Sequence, residues 1–211
     1  MTNVRKIASA LAGLAEFLLV YACGRVCGLG PVVRYLRNPH PLATPRLLRA
    51  FGAEIGEAST FKRSLYIDNA YEDRNSARDF RHLHVGRDCY IGDGVYLDLA
   101  NQVVIGDQVV ISGRVSVLTH ADCNRSPYLA EQFPRRCEPV VVGAGAWIGF
   151  GAIVTAGVRI GERTVIAAGA LMRDNAEPRA VYGGVPARKL RELALEVPAP
   201  LDPAAPDPAL T

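Results

Sequence analysis

The 211-residue sequence predicts an all-β protein, a parallel β-helix built from stacked triangular coils, and three observations lead there. An apolar residue recurs at every sixth position: Ile55, Phe61, Ile67, then Val85, Ile91, Leu97, then, after a shift of two, Ile105, Ile111, Val117, and finally Val142, Ile148, Val154, Ile160, Ile166 and Met172. Glycine follows seven of these fifteen, at 56, 86, 92, 106, 143, 149 and 161, against about 7% in ordinary sequence. The rhythm stops over SVLTHADCNRSPYLAEQFPRRC, from Ser116 to Cys137. A six-residue period fits neither an amphipathic helix nor the two-residue alternation of a sandwich strand. Physically, six residues make one short strand and one bend, with the aliphatic side chain inward and Gly relieving the crowded backbone. Three units close a coil of about 18 residues, and coils about 4.8 Å apart form three parallel sheets around a column of Ile and Val.

Residues 1–50 precede the repeat and are helical in composition, interrupted by the turn signals GLGP and NPHP. Their start, VRKIASALAGLAEFLLVYACG, is basic and then apolar from Ile7 to Ala22. Glu16 within that run and Tyr21 near its end argue against a cleaved leader, and the run is short of the roughly 20 residues that span a bilayer. A helix is expected, either packed over one end of the core or lying on a membrane surface. Residues 51–175 make the β-helix domain, with residues 121–139 extruded from it. Residues 176–195 are expected to form a short C-terminal helix or tail segment, and residues 196–211, rich in Pro and Ala, a disordered tail.

The charge of +3 and the absence of any Lys/Arg run longer than two exclude an electrostatic footprint for nucleic acid. Five cysteines with no CxxC spacing argue against a disulfide framework or a structural zinc site, and Cys123 and Cys137, which bracket the break, are expected to remain free thiols.

VVVGAGAWIGFGAIVTAGVRIGERTVIAAGALMRD, followed by AVYGGVPARKLRE, resembles the hexapeptide-repeat acyltransferases, above all the galactoside, maltose and polysaccharide O-acetyltransferases. The likeness runs from about Arg49 to Leu193. It implies a left-handed β-helix, a homotrimer, and acetyl-CoA bound in a groove between subunits, with no metal. The first 50 residues differ from the helical segment of the sugar enzymes, while RLLRAFGAEIGEAST resembles the coil entry of enzymes that decorate surface polysaccharides.

Stacked coils offer no pocket of their own, so the long excursion after His120 is the place to look for a site. Acyl transfer from a thioester to a hydroxyl needs a base near neutral pH, a task that imidazole, with a reference pKa of about 6.5, can perform. The family's catalytic His stands where His120 stands, after ISGRVSVLT and before the extruded loop, and acts without an acyl-enzyme. Asp98, in VYLDLAN, is the expected partner one coil earlier, at a position where the sugar enzymes place an acceptor-binding Asn; Asp122 and Asp93 are alternatives. For the donor, small-residue strands at Phe150, Gly151, Ala167 and Ala168 offer backbone to a thin pantetheine chain, and Arg173, Arg188, Lys189 and Arg191 offer charge to the phosphates. The resemblance implies a Ser often found at the position of Phe150 and a phosphate-contacting segment at GVPARKLRE.

A γ-class carbonic anhydrase would need a further His shortly after His120, where Arg125 stands, so His82 and His84 are expected to be exposed polar positions. A serine acetyltransferase would need a longer helical N-terminal domain. The reading that emerges is an acetyl-CoA-dependent O-acetyltransferase of a saccharide or saccharide-containing acceptor, cytoplasmic or at the inner membrane surface. An N-acetyltransferase of a nucleotide-linked amino sugar and a non-catalytic trimeric scaffold are the alternatives.

Overall fold

The computed structural model describes residues 3–123 and 125–194; the expected tail over 196–211 lies outside them. Three helices come first: α1 (Asn3–Cys27), α2 (Leu29–Tyr35) and α3 (Thr44–Ala50). Gly28 separates the first two with φ +81°, and Pro45 starts the third, where a missing N–H is harmless. Leu29, Val32, Leu36, Leu47 and Leu48 are buried, covering the first coil so that its apolar interior does not meet water.

Three parallel sheets then form the faces of a prism. The first stacks Glu54–Ile55, Leu83–Val85, Val103–Ile105, Val140–Val142 and Arg159–Ile160. The second stacks Thr60–Phe61, Tyr90–Ile91, Val110–Ile111, Trp147–Ile148 and Val165–Ile166. The third stacks Tyr66–Asp68, Tyr96–Asp98, Ser116–Val117, Ile153–Val154 and Leu171–Met172. All fifteen residues of the six-residue count are buried, the most exposed being Ile55 at 8%. The glycines that follow are needed for close approach between coils: a Cβ on Gly149 would stand 2.6 Å from the nitrogen of Ala168, and one on Gly106 2.7 Å from that of Ala144.

Register shows where the coils differ. On the first face Ile55 pairs with Val85, Val85 with Ile105, Ile105 with Val142 and Val142 with Ile160, steps of 30, 20, 37 and 18 residues. The other two faces repeat these steps. Against the 18 of a plain coil, three coils carry 12, 2 and 19 extra residues. Each insertion falls between a strand of the third face and the next strand of the first, so all leave the prism at one corner.

The longest insertion carries structure of its own. His120–Ala121 pairs antiparallel with Arg136–Cys137, and a short helix, α4 (Pro127–Gln132), stands at the tip. The C-terminal segment differs from the short helix or tail expected over 176–195. Ala180–Gly184 adds to the second face beside Val165–Ile166, and Ala187–Glu192 folds back on it as an antiparallel strand. The last coil leaves an unpaired sheet edge, which the largely buried Ala180–Gly184 satisfies, while Gly184 at φ +97° turns the chain in a way no helix continues.

Candidate active site

The insertion corner gathers the polar residues. Asp68 and Asp98 lie in register on adjacent third-face strands, and His120 begins the extruded hairpin one coil beyond Asp98. Asp98 is wholly buried, yet its carboxylate accepts five N–H groups. Oδ2 takes His120 Nδ1 at 2.6 Å, the Thr119 amide at 2.8 Å and the His120 amide at 2.9 Å. Oδ1 takes Asn69 Nδ2 at 2.9 Å and the Ala100 amide at 3.1 Å. Burial alone would push this carboxyl's pKa up, but the donors from His120, Asn69, Ala100 and Thr119 outweigh it and hold the group below the usual carboxylate range.

That pairing decides the histidine's chemistry. An ionised carboxylate only accepts, so the proton of a neutral His120 ring sits on Nδ1 and the lone pair on Nε2. Nε2 has no hydrogen-bond partner among the described residues, and the side chain is 24% exposed. Thr119 stiffens the support: its hydroxyl donates to the Asp98 carbonyl at 2.9 Å and accepts the Asn101 amide at 3.0 Å. The ring is thus held on one nitrogen and available on the other.

Arg135 ties the two long insertions together. Its guanidinium reaches both carboxylate oxygens of Asp73 at 2.8 Å, in the first insertion, and also pairs with Asp122 beside His120. All three side chains are at most 15% exposed. Sequence reasoning missed Asn69, Thr119 and Arg135. Counting coils would have found Asn69, which follows Asp68 one coil below Asp98; nothing local links Arg135 to a carboxylate 62 positions away. Asp93, by contrast, accepts the Arg63 amide at 3.1 Å on another corner.

The expected donor contacts are spread over the prism. Phe150, Gly151, Ala167 and Ala168 line the corner between the second and third faces, where the Gly169 amide donates to the Phe150 carbonyl at 2.9 Å. Phe150 is 53% exposed and has the Arg114 guanidinium 5.7 Å from its ring centre. Arg173 stands on the insertion corner two coils above Leu118. Arg188, Lys189 and Arg191 lie on the outermost strand; Lys189 is held between Glu177 at 2.6 Å and Glu192 at 3.1 Å, which raise its pKa, and Arg188 approaches Asp174 at 3.4 Å. One chain therefore brings together His120 and Asp98, but the corner of Phe150 and Ala168 lies across the third face from them.

Two other places are set aside by their chemistry. A cleft of about 670 Å3 lies between α1 and the 36–43 turn, where His40 Nδ1 accepts the Leu42 amide at 3.3 Å and its Nε2 faces Ser9 at 3.2 Å, so the ring's acceptor nitrogen is already used. His82 Nδ1 lies 3.0 Å from the Leu99 carbonyl and His84 Nδ1 3.0 Å from Glu54, both half-exposed. All five cysteines are unbridged.

Residues 139–174 match the family described as bacterial transferase hexapeptide (six repeats). The galactoside O-acetyltransferase of Escherichia coli is 32% identical over 149 residues, 70% of this chain and 67% of that enzyme. The chain belongs to the hexapeptide-repeat acetyltransferases. The candidate colanic acid biosynthesis acetyltransferase WcaF of Escherichia coli is 29% identical, over 69% of this chain and 72% of its own length. Among solved structures, a hexapeptide-repeat acetyltransferase of Vibrio cholerae complexed with acetyl coenzyme A superposes with a TM-score of 0.65 at 23% identity, covering 78% of this chain and 85% of that one. A galactoside acetyltransferase in complex with coenzyme A superposes at 0.64 and 21% identity, covering 85% and 83%. A hexapeptide-repeat acetyltransferase has the left-handed coil, so the prism winds against the usual right-handed crossover preference.

Proposed function

We propose that this protein transfers an acetyl group from acetyl-CoA to a hydroxyl of a saccharide or saccharide-containing acceptor, with His120 as general base and Asp98 as its orienting partner. The observation that carries the reading is the 2.6 Å contact from His120 Nδ1 to a buried, five-fold hydrogen-bonded Asp98, which leaves Nε2 as a free acceptor beside the extruded loop. His120 Nε2 takes the hydroxyl proton as the acceptor oxygen attacks the thioester carbonyl carbon. Asp98 offsets the imidazolium charge, and the same proton passes to the departing sulfur as the C–S bond breaks.

The saccharide class is supported by the galactoside O-acetyltransferase and by the relative named for colanic acid biosynthesis. Acetyl-CoA as donor is supported by the relatives crystallised with it or with coenzyme A. A homotrimer is supported by the separation of His120 from the Phe150–Ala168 corner, because a threefold arrangement can set one subunit's insertion corner against its neighbour's opposite corner. In that seam Phe150, Gly151, Ala167 and Ala168 offer backbone to the pantetheine, and Arg173, Arg188, Lys189 and Arg191 offer charge to the phosphates; Lys189 would first exchange its two carboxylates. The reading places the enzyme in the cytoplasm, where acetyl-CoA is made, with α1 as its contact to the inner face of the membrane.

The test is acceptor-dependent thiol release from acetyl-CoA across a panel of saccharides. Wild-type protein should turn over at least one of them, and His120→Ala should lose about 10²–10⁴ of that rate. Equal release by both proteins would remove His120 from the mechanism.

A further inference from the structure

We propose that α1 lies flat in the headgroup layer of an anionic membrane leaflet, with the stripe Ile7, Leu11, Leu14 and Leu18 turned into the lipid. This deepens the membrane contact named above and does not depend on the chemistry of His120.

The helix has two unlike sides. On the inner side a Cβ at Gly13 would lie 2.6 Å from His40 Nδ1, and one at Gly24 would meet Phe51 and Val32. Between them Glu16 accepts the Tyr35 hydroxyl, Phe17 stacks on Tyr21 at 5.8 Å, and Tyr21 packs on Phe51 at 5.7 Å. The Tyr35 hydroxyl, half-buried beside this carboxylate, has its pKa pushed up to about 12, so at neutral pH it remains a donor to Glu16. Positions 13 to 24 thus lie flush against the protein over about 16 Å of helix. Crossing a bilayer would require peeling this face from α2 and α3, so the helix is oriented along a surface.

On the outer side, Ile7 is 60% exposed, Leu11 61%, Leu14 43% and Leu18 55%, and their spacing of four, three and four places them on one stripe. Glu16, the single acid of α1, is turned away from that stripe toward Tyr35. Nothing among the described residues covers the stripe.

Charge selects the occupant. The first 50 residues hold seven basic residues and one acidic, a net +6, whereas the remaining 161 hold seventeen and twenty, a net −3. The excess flanks the helix: Arg5 and Lys6 at its start, Arg25 in its last turn, and Arg34 and Arg46, both exposed, on α2 and α3. A second copy of this chain would bring two such +6 segments together, with mutual repulsion. Anionic headgroups complement them, and an apolar stripe with flanking Lys and Arg is the composition by which interfacial helices bind such surfaces.

The test uses the full chain and sedimentation with two vesicle preparations, phosphatidylcholine alone and phosphatidylcholine with phosphatidylglycerol. Binding is expected only with the anionic vesicles, with release as salt rises from about 0.1 M to about 0.5 M. The double variant Leu11→Glu/Leu18→Glu should lower the bound fraction by about tenfold or more. Both side chains are exposed, so its circular dichroism and its thiol release with a soluble acceptor should match wild type. Vesicle binding unchanged by the variant would overturn the proposal. So would equal, salt-resistant binding to neutral vesicles, the mark of a spanning helix. A wild type that ignores vesicles but forms a larger oligomer disrupted by the variant would assign the stripe to a second copy instead. Should no acceptor be turned over by either protein, the enzymatic reading fails while the sedimentation result stands by itself.

Discussion

Replacing Asp98 by Asn changes one atom and removes the charge on which the corner is built. If the new amide turns its oxygen toward His120, that oxygen still accepts Thr119, His120 N and His120 Nδ1, and Asn69 can flip to meet the new NH2. Only the Ala100 amide is then stranded, at a cost of about 1–3 kcal/mol. The four surviving bonds change from charge-assisted to neutral, losing about 1 kcal/mol each, and relief from burying a charge returns about half of the sum. The net loss is about 2–4 kcal/mol, or about 5–15 °C in Tm for a chain of this size. Thermal unfolding followed by circular dichroism, at fixed protein concentration, measures it. The sign of the pH dependence follows from the lowered pKa of Asp98. A carboxylate held below its unfolded value of about 3.9 contributes fully above that value, and the contribution is lost as pH falls toward the native pKa. The gap between wild type and Asp98→Asn should therefore close in acid, as pH falls below about 4 toward the native pKa of Asp98. In activity the variant should lose about 10²–10³ in kcat, since the imidazolium is no longer offset, while KM for acetyl-CoA is unchanged. A variant as stable as wild type at pH 7, or a gap that persists once pH falls below the native pKa of Asp98, would refute this account.

Gly149→Ala adds a carbon 2.6 Å from the Ala168 amide and the Ile166 carbonyl, backbone atoms that move only if two coils separate, so it should lower stability by about 1–3 kcal/mol, read as a lower urea midpoint. Arg135→Met leaves the carboxylates of Asp73 and Asp122 without their shared guanidinium and frees the extruded loop from the first insertion. It should speed limited proteolysis within residues 121–139 and raise acceptor KM by about tenfold, with the core's Tm nearly unchanged because loop opening is local.

Periodicity alone determined the column, since an inward side chain on each short strand must recur with the period of the coil, and Ile55 through Met172 could be counted into place. The histidine was legible for the same reason: a departure from a strict repeat marks the point where chain leaves the stack. What the linear order could not carry was how successive departures align. That Asn69, Asp98 and His120 meet depends on three insertions of different length leaving by one corner, a matter of sheet register. The C-terminal hairpin was likewise decided in three dimensions, because Ala180–Gly184 becomes a strand by satisfying an edge that the preceding coil leaves open. Arg135 is the clearest case. Its two carboxylates come from separate loops, and only stacking the coils brings their charges within reach of one guanidinium.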